Sequence, residues 1–286
     1  MRSPLLFCLL ALASCVTQRA TVMNSGPDWV RAGGPLPSLA DRHVVFVAGF
    51  MNELIPGYFS DTAVATRELG GETSVLFPSS SSSLSNDVEL VEAAIDGCAR
   101  SQVVLFGHSK GGAAVLLTVL RHPELVLTGK VEAVIVLQGA IGGSPLADTL
   151  SKVKPLAGPG MKSLTTRQAK ETFGAALKAL SERLTREQWD QLFAHVFYVR
   201  SAHTQTTLAA ELALTELILR AYGENDGLLP KGEMKLNYGV DLGVLDSDHA
   251  SLAVSSFLAT STPSERRAFT LALYREIGRQ LGWRRQ

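Results

Sequence analysis

The stretch "QVVLFGHSKGGAAVLLTVL", residues 102–120, is an apolar run of strand length that breaks at glycine, histidine, serine, lysine and two further glycines, then resumes with helical character. Within it, Gly107-His108-Ser109-Lys110-Gly111 fits G-x-S-x-G, a pattern in which a serine is pushed out on a strained strand-to-helix turn at the carboxyl end of a sheet. Glycines two before and two after the serine leave room for strand and helix to approach closely. The spacing matches neither the P-loop nor the dinucleotide-binding glycine pattern.

Working outward, "HVVFVAGF" (43–50) and "TSVLFP" (73–78) read as β-branched strands, followed by a helix from about Asn86 to Cys98. The helix after Ser109 runs from about Lys110 to Leu120 and closes at His122-Pro123. "VEAVIVLQ" (131–138) and "VFYVR" (196–200) supply further strands. Short apolar strands without polar alternation, separated by helices, indicate a mainly parallel sheet covered on both faces, so the fold class is α/β. Between Gln138 and Val196 lies an insertion, about 140–194, in which Phe173, Leu177, Leu180 and Leu184 recur at helical spacing. Thr185 is placed to cap a second helix carrying Trp189, Leu192 and Phe193. Such an insertion sits above the serine in this architecture and is a candidate lid; an apolar stripe packed on the sheet fits the same pattern. A further apolar helix is expected over about Thr207 to Arg220. Thr262-Pro263-Ser264-Glu265 has the form of a capping box opening a last helix to about Leu281, whose Arg279, with Arg284 and Arg285 beyond it, complements the helix dipole.

A serine hydroxyl needs a base to become a nucleophile, and the base needs an orienting acid. In this arrangement the chain order is serine, acid, histidine. Of the six histidines, at 43, 108, 122, 195, 203 and 249, His249 alone leaves space behind Ser109 for an acid in a plausible loop. That acid comes most naturally from "YGENDGLLP" (222–230), where Asp226 lies in a turn-forming Asn-Asp-Gly. Glu224, Asp241, Asp246 and Asp248 are the alternatives. The candidate catalytic set is Ser109, Asp226 and His249. The aspartates between 241 and 248 read as solvated loop acids rather than a calcium site, and nothing in the set calls for a metal or another cofactor.

The ordered segments "GHSKGG", "ENDGLLP" and "DSDHASL" resemble the α/β-hydrolase superfamily, and within it bacterial triacylglycerol-lipase-like serine esterases. "VFVAGF" is similar to their first core strand, and "FPSSSSSLSNDVELVEAAI" to their serine-containing loop and helix. The resemblance spans about 43–257 and implies hydrolysis of carboxylic esters, lipid or acyl esters among them, through an acyl-enzyme. It also implies an oxyanion hole from the backbone N–H of Lys110 and of Phe50, with Met51 next. These lipases usually carry histidine before the glycine of the first strand, where this chain has Ala48.

The opening "MRSPLLFCLLALASC" combines one positive charge, a short apolar run and small residues, the form of a secretory signal rather than a membrane span. Its end, Leu12-Ala13-Ser14-Cys15, resembles a bacterial lipobox, which implies removal of Cys8 and acylation of Cys15. The expected organisation is a signal over 1–15, a tether or irregular lead-in over 16–42 and one hydrolase domain over 43–286. The expected location is the bacterial cell envelope, with Val16 favouring the outer membrane. Cys98 shares a helical face with Val88, Val91 and Ile95 and reads as a packed thiol. With 27 basic and 27 acidic residues, no broad attraction to nucleic acid is expected. No feature specifies an oligomeric state. A non-catalytic envelope lipoprotein that uses the scaffold for binding, or an acyltransferase or thioesterase built on the same groups, are the competing classes.

Overall fold

Six strands rich in valine form one sheet: β1 (Arg42–Val47), β2 (Glu72–Leu76), β3 (Gln102–His108), β4 (Val131–Leu137), β5 (Val196–Ala202) and β6 (Val240–Asp246). Their spatial order is β2-β1-β3-β4-β5-β6, and every neighbouring pair is parallel. The computed structural model describes residues 26–100, 102–154, 157–204, 208, 212–255 and 259–285. The signal and acylation segment expected over 1–15, including Cys15, lies outside the described residues, as does the start of the lead-in.

Parallel pairing puts all six carboxyl ends on one edge. The chain steps from β1 outward to β2, then returns to lay β3 on the other flank of β1, so the topology reverses between β1 and β3. A crevice opens outside the strand ends at such a reversal. Ser109 follows β3 directly, and Gly49 and Phe50 follow β1, so both segments singled out by sequence meet there. Register fixes their level: Val47 lies opposite Gly107, and His108 opposite Leu137.

Alternation of side chains sorts the sheet into two cores. Val44, Phe46, Val104, Phe106, Ile135 and Phe197 face one layer, covered by the helices Ser60–Glu68 and Pro263–Leu281. Val45, Val47, Leu105, Val134, Val136 and Tyr198 face the other, covered by the helices Leu84–Asp96, Lys110–Arg121 and Thr166–Arg183. The last helix of the chain starts with the expected capping box: Thr262 Oγ1 accepts from Glu265 N–H, and the Glu265 carboxylate accepts from Thr262 N–H. Cys98 packs beside Val88, Val91 and Ile95, and burial pushes its thiol up from the ordinary range.

The insertion divides into two parts. The helices Thr166–Arg183 and Arg186–Ala194 turn Phe173, Leu180, Leu192 and Phe193 into the second core, so the apolar stripe packs on the sheet side. The short helices Pro145–Leu150 and Pro159–Ser163 instead build a separate apolar cluster, Ala140, Ala147, Met161 and Leu164 with Leu229 and Met234. Phe50 packs against it. Of the helix expected over 207–220, Ala213–Leu219 is α-helical, while Leu208 lies outside any helix and Arg220 opens a short 3-10 turn. The lead-in is not bare tether where it is described: Val30 and Leu39 are buried, and Trp29 Nε1 donates to Leu242 O at 2.7 Å.

A side chain at Gly111 would drive its Cβ into the Val47 carbonyl, a backbone atom that cannot yield. Gly174, exposed in the middle of its helix, has open space around it. Gly111→Ala is therefore expected to abolish the cooperative unfolding transition, while Gly174→Ala raises stability by about 0.5–1 kcal/mol. Denaturant unfolding of the two variants measures the contrast.

Candidate active site

Ser109 occupies φ 57°, ψ −123°, a backbone conformation that non-glycine residues rarely adopt. Such a residue stores about 1–3 kcal/mol of strain and persists only where its surroundings hold it. Here Ser109 N–H donates to Leu137 O at 3.1 Å, and Ser109 O accepts from Ala113 and Ala140 N–H, each at 3.1 Å. The turn is thus bolted to the end of β4 and to its own helix. Tight spacing does the rest, because a Cβ at Gly107 would overlap the Gly111 backbone.

Asp226 and His249 are joined twice. His249 Nδ1 donates to Asp226 Oδ2 at 2.7 Å, and His249 N–H donates to Asp226 O at 2.9 Å. The remaining carboxylate oxygen, Oδ1, accepts from Leu228 and Leu229 N–H at 3.1 and 2.8 Å, while Ser201 Oγ donates to Oδ2 at 3.1 Å. Fully buried, the carboxylate replaces its lost hydration with these donors, as an interior charge must. With Nδ1 committed to Asp226, the lone pair of His249 is on Nε2, the correct nitrogen for a base. No hydrogen bond joins Ser109 Oγ to His249. The structure brings Asp226 and His249 into contact and sets Ser109 at the same sheet edge, linked through its neighbour: the rings of His108 and His249 lie 4.7 Å apart.

The competing acids are engaged elsewhere. Glu224 pairs with Lys231, and Asp246 accepts from Thr204 N–H at 2.8 Å. Asp248 caps a turn by accepting from Ala250 and Ser251 N–H. Asp241 is in β6, not in a solvated loop: it pairs with Arg200 at 2.6 Å and Lys235 at 3.0 Å, and though burial works against the charge, these partners hold its carboxyl below the ordinary value. The segment reads as a solvated loop because two acids and a glycine among seven residues mask the strand β6.

The expected oxyanion donors, Phe50 N–H and Lys110 N–H, have no hydrogen-bond partner among the described residues. The loop bearing Phe50 passes so close to the serine that a Cβ on Gly49 would lie 2.8 Å from Ser109 Cβ. Asn52, buried, donates from Nδ2 to Gly49 O at 2.8 Å and Pro78 O at 2.7 Å. Ser80 Oγ accepts from Met51 N–H at 2.6 Å and donates to Glu53. Burial pulls the Glu53 carboxyl up, yet the Ser80 hydrogen bonds outweigh it and hold it below the ordinary range.

Lys110, whose backbone offers one donor, sends its side chain under the serine-rich loop. Its ammonium is buried against Asp87 at 2.8 Å and donates to Ser82 O at 2.8 Å and Ser79 O at 3.2 Å. Burial nonetheless pushes the Asp87 carboxyl above its ordinary value. By sequence, Ser80 and Asp87 are marked only as members of the serine-containing segment, and Asn52, Tyr58, Gln138 and Ser201 receive no site role. Of these four, Gln138 carries a signal, a polar residue closing an apolar strand. Ala48, where the resemblance breaks, is buried apolar core and donates its N–H to Leu76 O.

No family model matches the chain, and no curated protein matches it. Among solved structures, a metagenomic carboxyl esterase is 22% identical with a TM-score of 0.68, over 87% of this chain and 80% of that one. The mature form of a lipase from Bacillus licheniformis is 20% identical with a TM-score of 0.58, over 80% and 91%. The chain has the α/β-hydrolase fold.

Removing one partner of a buried ion pair strands the other. Lys110→Met is expected to cost about 3–5 kcal/mol, and the double variant Lys110→Met, Asp87→Leu to recover most of that loss. Guanidinium unfolding of the two proteins provides the check.

Proposed function

We propose that this chain of α/β-hydrolase fold is a serine hydrolase acting on carboxylic esters. The observation that carries the reading is the strained Ser109, with the N–H groups of Lys110 beside it and of Phe50 on the adjoining loop unpartnered among the described residues, at the sheet edge where Asp226 grips His249 at 2.7 Å. In the proposed cycle Ser109 Oγ attacks the ester carbonyl carbon while His249 Nε2 takes the hydroxyl proton. The tetrahedral oxyanion accepts hydrogen bonds from Phe50 and Lys110 N–H, each such donor lowering the barrier by about 3–4 kcal/mol. As the intermediate collapses, the C–O bond to the alcohol breaks and His249 returns the proton to the leaving oxygen. Water then repeats the sequence against the acyl-enzyme, releasing the acid and restoring Ser109. Asp226 fixes the imidazole tautomer and stabilises the imidazolium formed in each half.

The acyl group is proposed to be apolar. Phe50, bearer of one oxyanion donor, packs on the cluster of Ala140, Ala147, Met161, Leu164, Leu229 and Met234, which supports an aliphatic chain lying along that wall rather than a polar one. We further propose that the enzyme works at the cell envelope, tethered through an acylated Cys15; the supporting observation is the Leu12-Ala13-Ser14-Cys15 sequence after a short apolar run. No helix among the described residues is long and apolar enough to cross a membrane.

Wild-type protein is expected to react with a fluorophosphonate probe and Ser109→Ala not to, with ester turnover in that variant falling by at least a thousandfold, about 4 kcal/mol of barrier. Labelling of Ser109→Ala at the wild-type rate refutes the reading. Across p-nitrophenyl esters, kcat/KM should rise from acetate to medium or long acyl chains. In cells, Cys15→Ser is expected to abolish incorporation of labelled palmitate and to move the protein from the membrane to the soluble fraction.

A further inference from the structure

A buried polar chain crosses beneath the site and uses residues that the proposed reaction does not. Tyr58 and His108 are 5% and 2% exposed, among apolar neighbours that include Phe59 and Phe106. Gly49 N–H donates to the Tyr58 hydroxyl at 3.0 Å. That hydroxyl lies 2.6 Å from His108 Nδ1. On the far side of the ring, His108 Nε2 lies 2.8 Å from the main-chain oxygen of His249 and 3.0 Å from Gln138 Oε1.

Proton placement follows from donor and acceptor types. The His249 carbonyl only accepts, so His108 carries its hydrogen on Nε2. Gln138 presents its oxygen to His108 because its amide nitrogen faces Asp248 O at 2.8 Å, with Ser201 Oγ and Asp226 Oδ2 beside it. Burial, reinforced by the nearby His249, holds His108 well below the ordinary histidine range, so the ring is neutral and Nδ1 accepts from the Tyr58 O–H. Tyr58 in turn accepts from Gly49. Every hydrogen bond in the line therefore has one direction, running Gly49 to Tyr58 to His108 to His249.

The two ends are functionally distinct. Gly49 immediately precedes Phe50, whose N–H is an oxyanion donor, and a Cβ on Gly49 would lie 2.6 Å from the Tyr58 oxygen, so loop and hydroxyl are in direct contact. His249 is the base. We infer that Tyr58 and His108 are positioning residues that hold the oxyanion loop and the general base in register across the nucleophile. This rests on the reading of Ser109 as nucleophile and His249 as base. A misplacement of about 1 Å at reacting groups can cost a hundredfold in rate, which sets the scale expected.

The test uses full-length Tyr58→Phe, His108→Leu and His108→Gln, with Ser109→Ala as reference. Turnover of a p-nitrophenyl ester is normalised to sites titrated by fluorophosphonate, so that unfolded protein does not count, and for Ser109→Ala to folded protein measured by circular dichroism. Tyr58→Phe, which removes one oxygen, should lower kcat about 10- to 100-fold with KM changed less than threefold. His108→Leu should lose at least as much, while His108→Gln, which returns an N–H within reach of the His249 carbonyl, should recover a measurable part. The inference is overturned if Tyr58→Phe and His108→Leu turn over within twofold of wild type per titrated site, or if Gln and Leu at position 108 are equally impaired. Full activity in Ser109→Ala would instead overturn the underlying assignment of nucleophile, a result separable from either of these.

Discussion

The close approach of three backbones at the reversal between β1 and β3 is the constraint on which the site depends. Gly107, Gly111 and Gly49 each lie where a Cβ would strike a neighbouring backbone or side chain. Only with all three bare can the β3 turn rise against the end of β1, with Ser109 at a positive φ and the Phe50 loop beside it. Strain at one residue is sustained by the hydrogen bonds to Leu137, Ala113 and Ala140 and by the two apolar cores behind the sheet. A rigid sheet edge of this kind lets polar groups be aimed in advance, which is where electrostatic catalysis gains most.

Around that edge, buried charge is placed where it braces movable parts. Lys110 connects the strand-to-helix turn at Ser109 to the serine-rich loop, and Ser80 passes the support to Met51. Asp226 ties the loop after residue 222 to the one after β6. These interior charges contribute little net stability, since desolvation opposes what pairing returns. Their effect is geometric: loops that would otherwise be the most mobile part of the fold each acquire a directional contact to a rigid element.

Sequence reading reached the elements whose causes are local. Gly107-His108-Ser109-Lys110-Gly111 needs only its flanking strand and helix to be recognised, and Thr262 with Glu265 forms its capping box within one turn. Asp226 and His249 were legible through chain order and turn chemistry, and the structure joins them. What escaped was long-range. Val240–Asp246 has two acids and a glycine, so it does not read as a strand until Arg200 and Lys235 are seen to pair with Asp241. The helix Thr166–Arg183 has a stripe that fits a lid or a core equally, and only packing on the sheet decides between them. Tyr58 and Gln138 are joined to the site by partners 50 and 30 residues away, contacts that no spacing rule encodes.

The third apolar cluster has a different standing from the other two. It is built from Ala140, Ala147, Met161 and Leu164 together with Leu229 and Met234, none of which belongs to a strand of the sheet. Changes to Met161, Leu164 or Ala147 would reshape the wall beside Phe50 while leaving strand pairing and the Asp226–His249 grip untouched. On the proposed placement of the acyl chain along that wall, selectivity and foldability would rest on separate sets of side chains, and a descendant of this scaffold could drift toward new acyl groups without first surviving a weakened core.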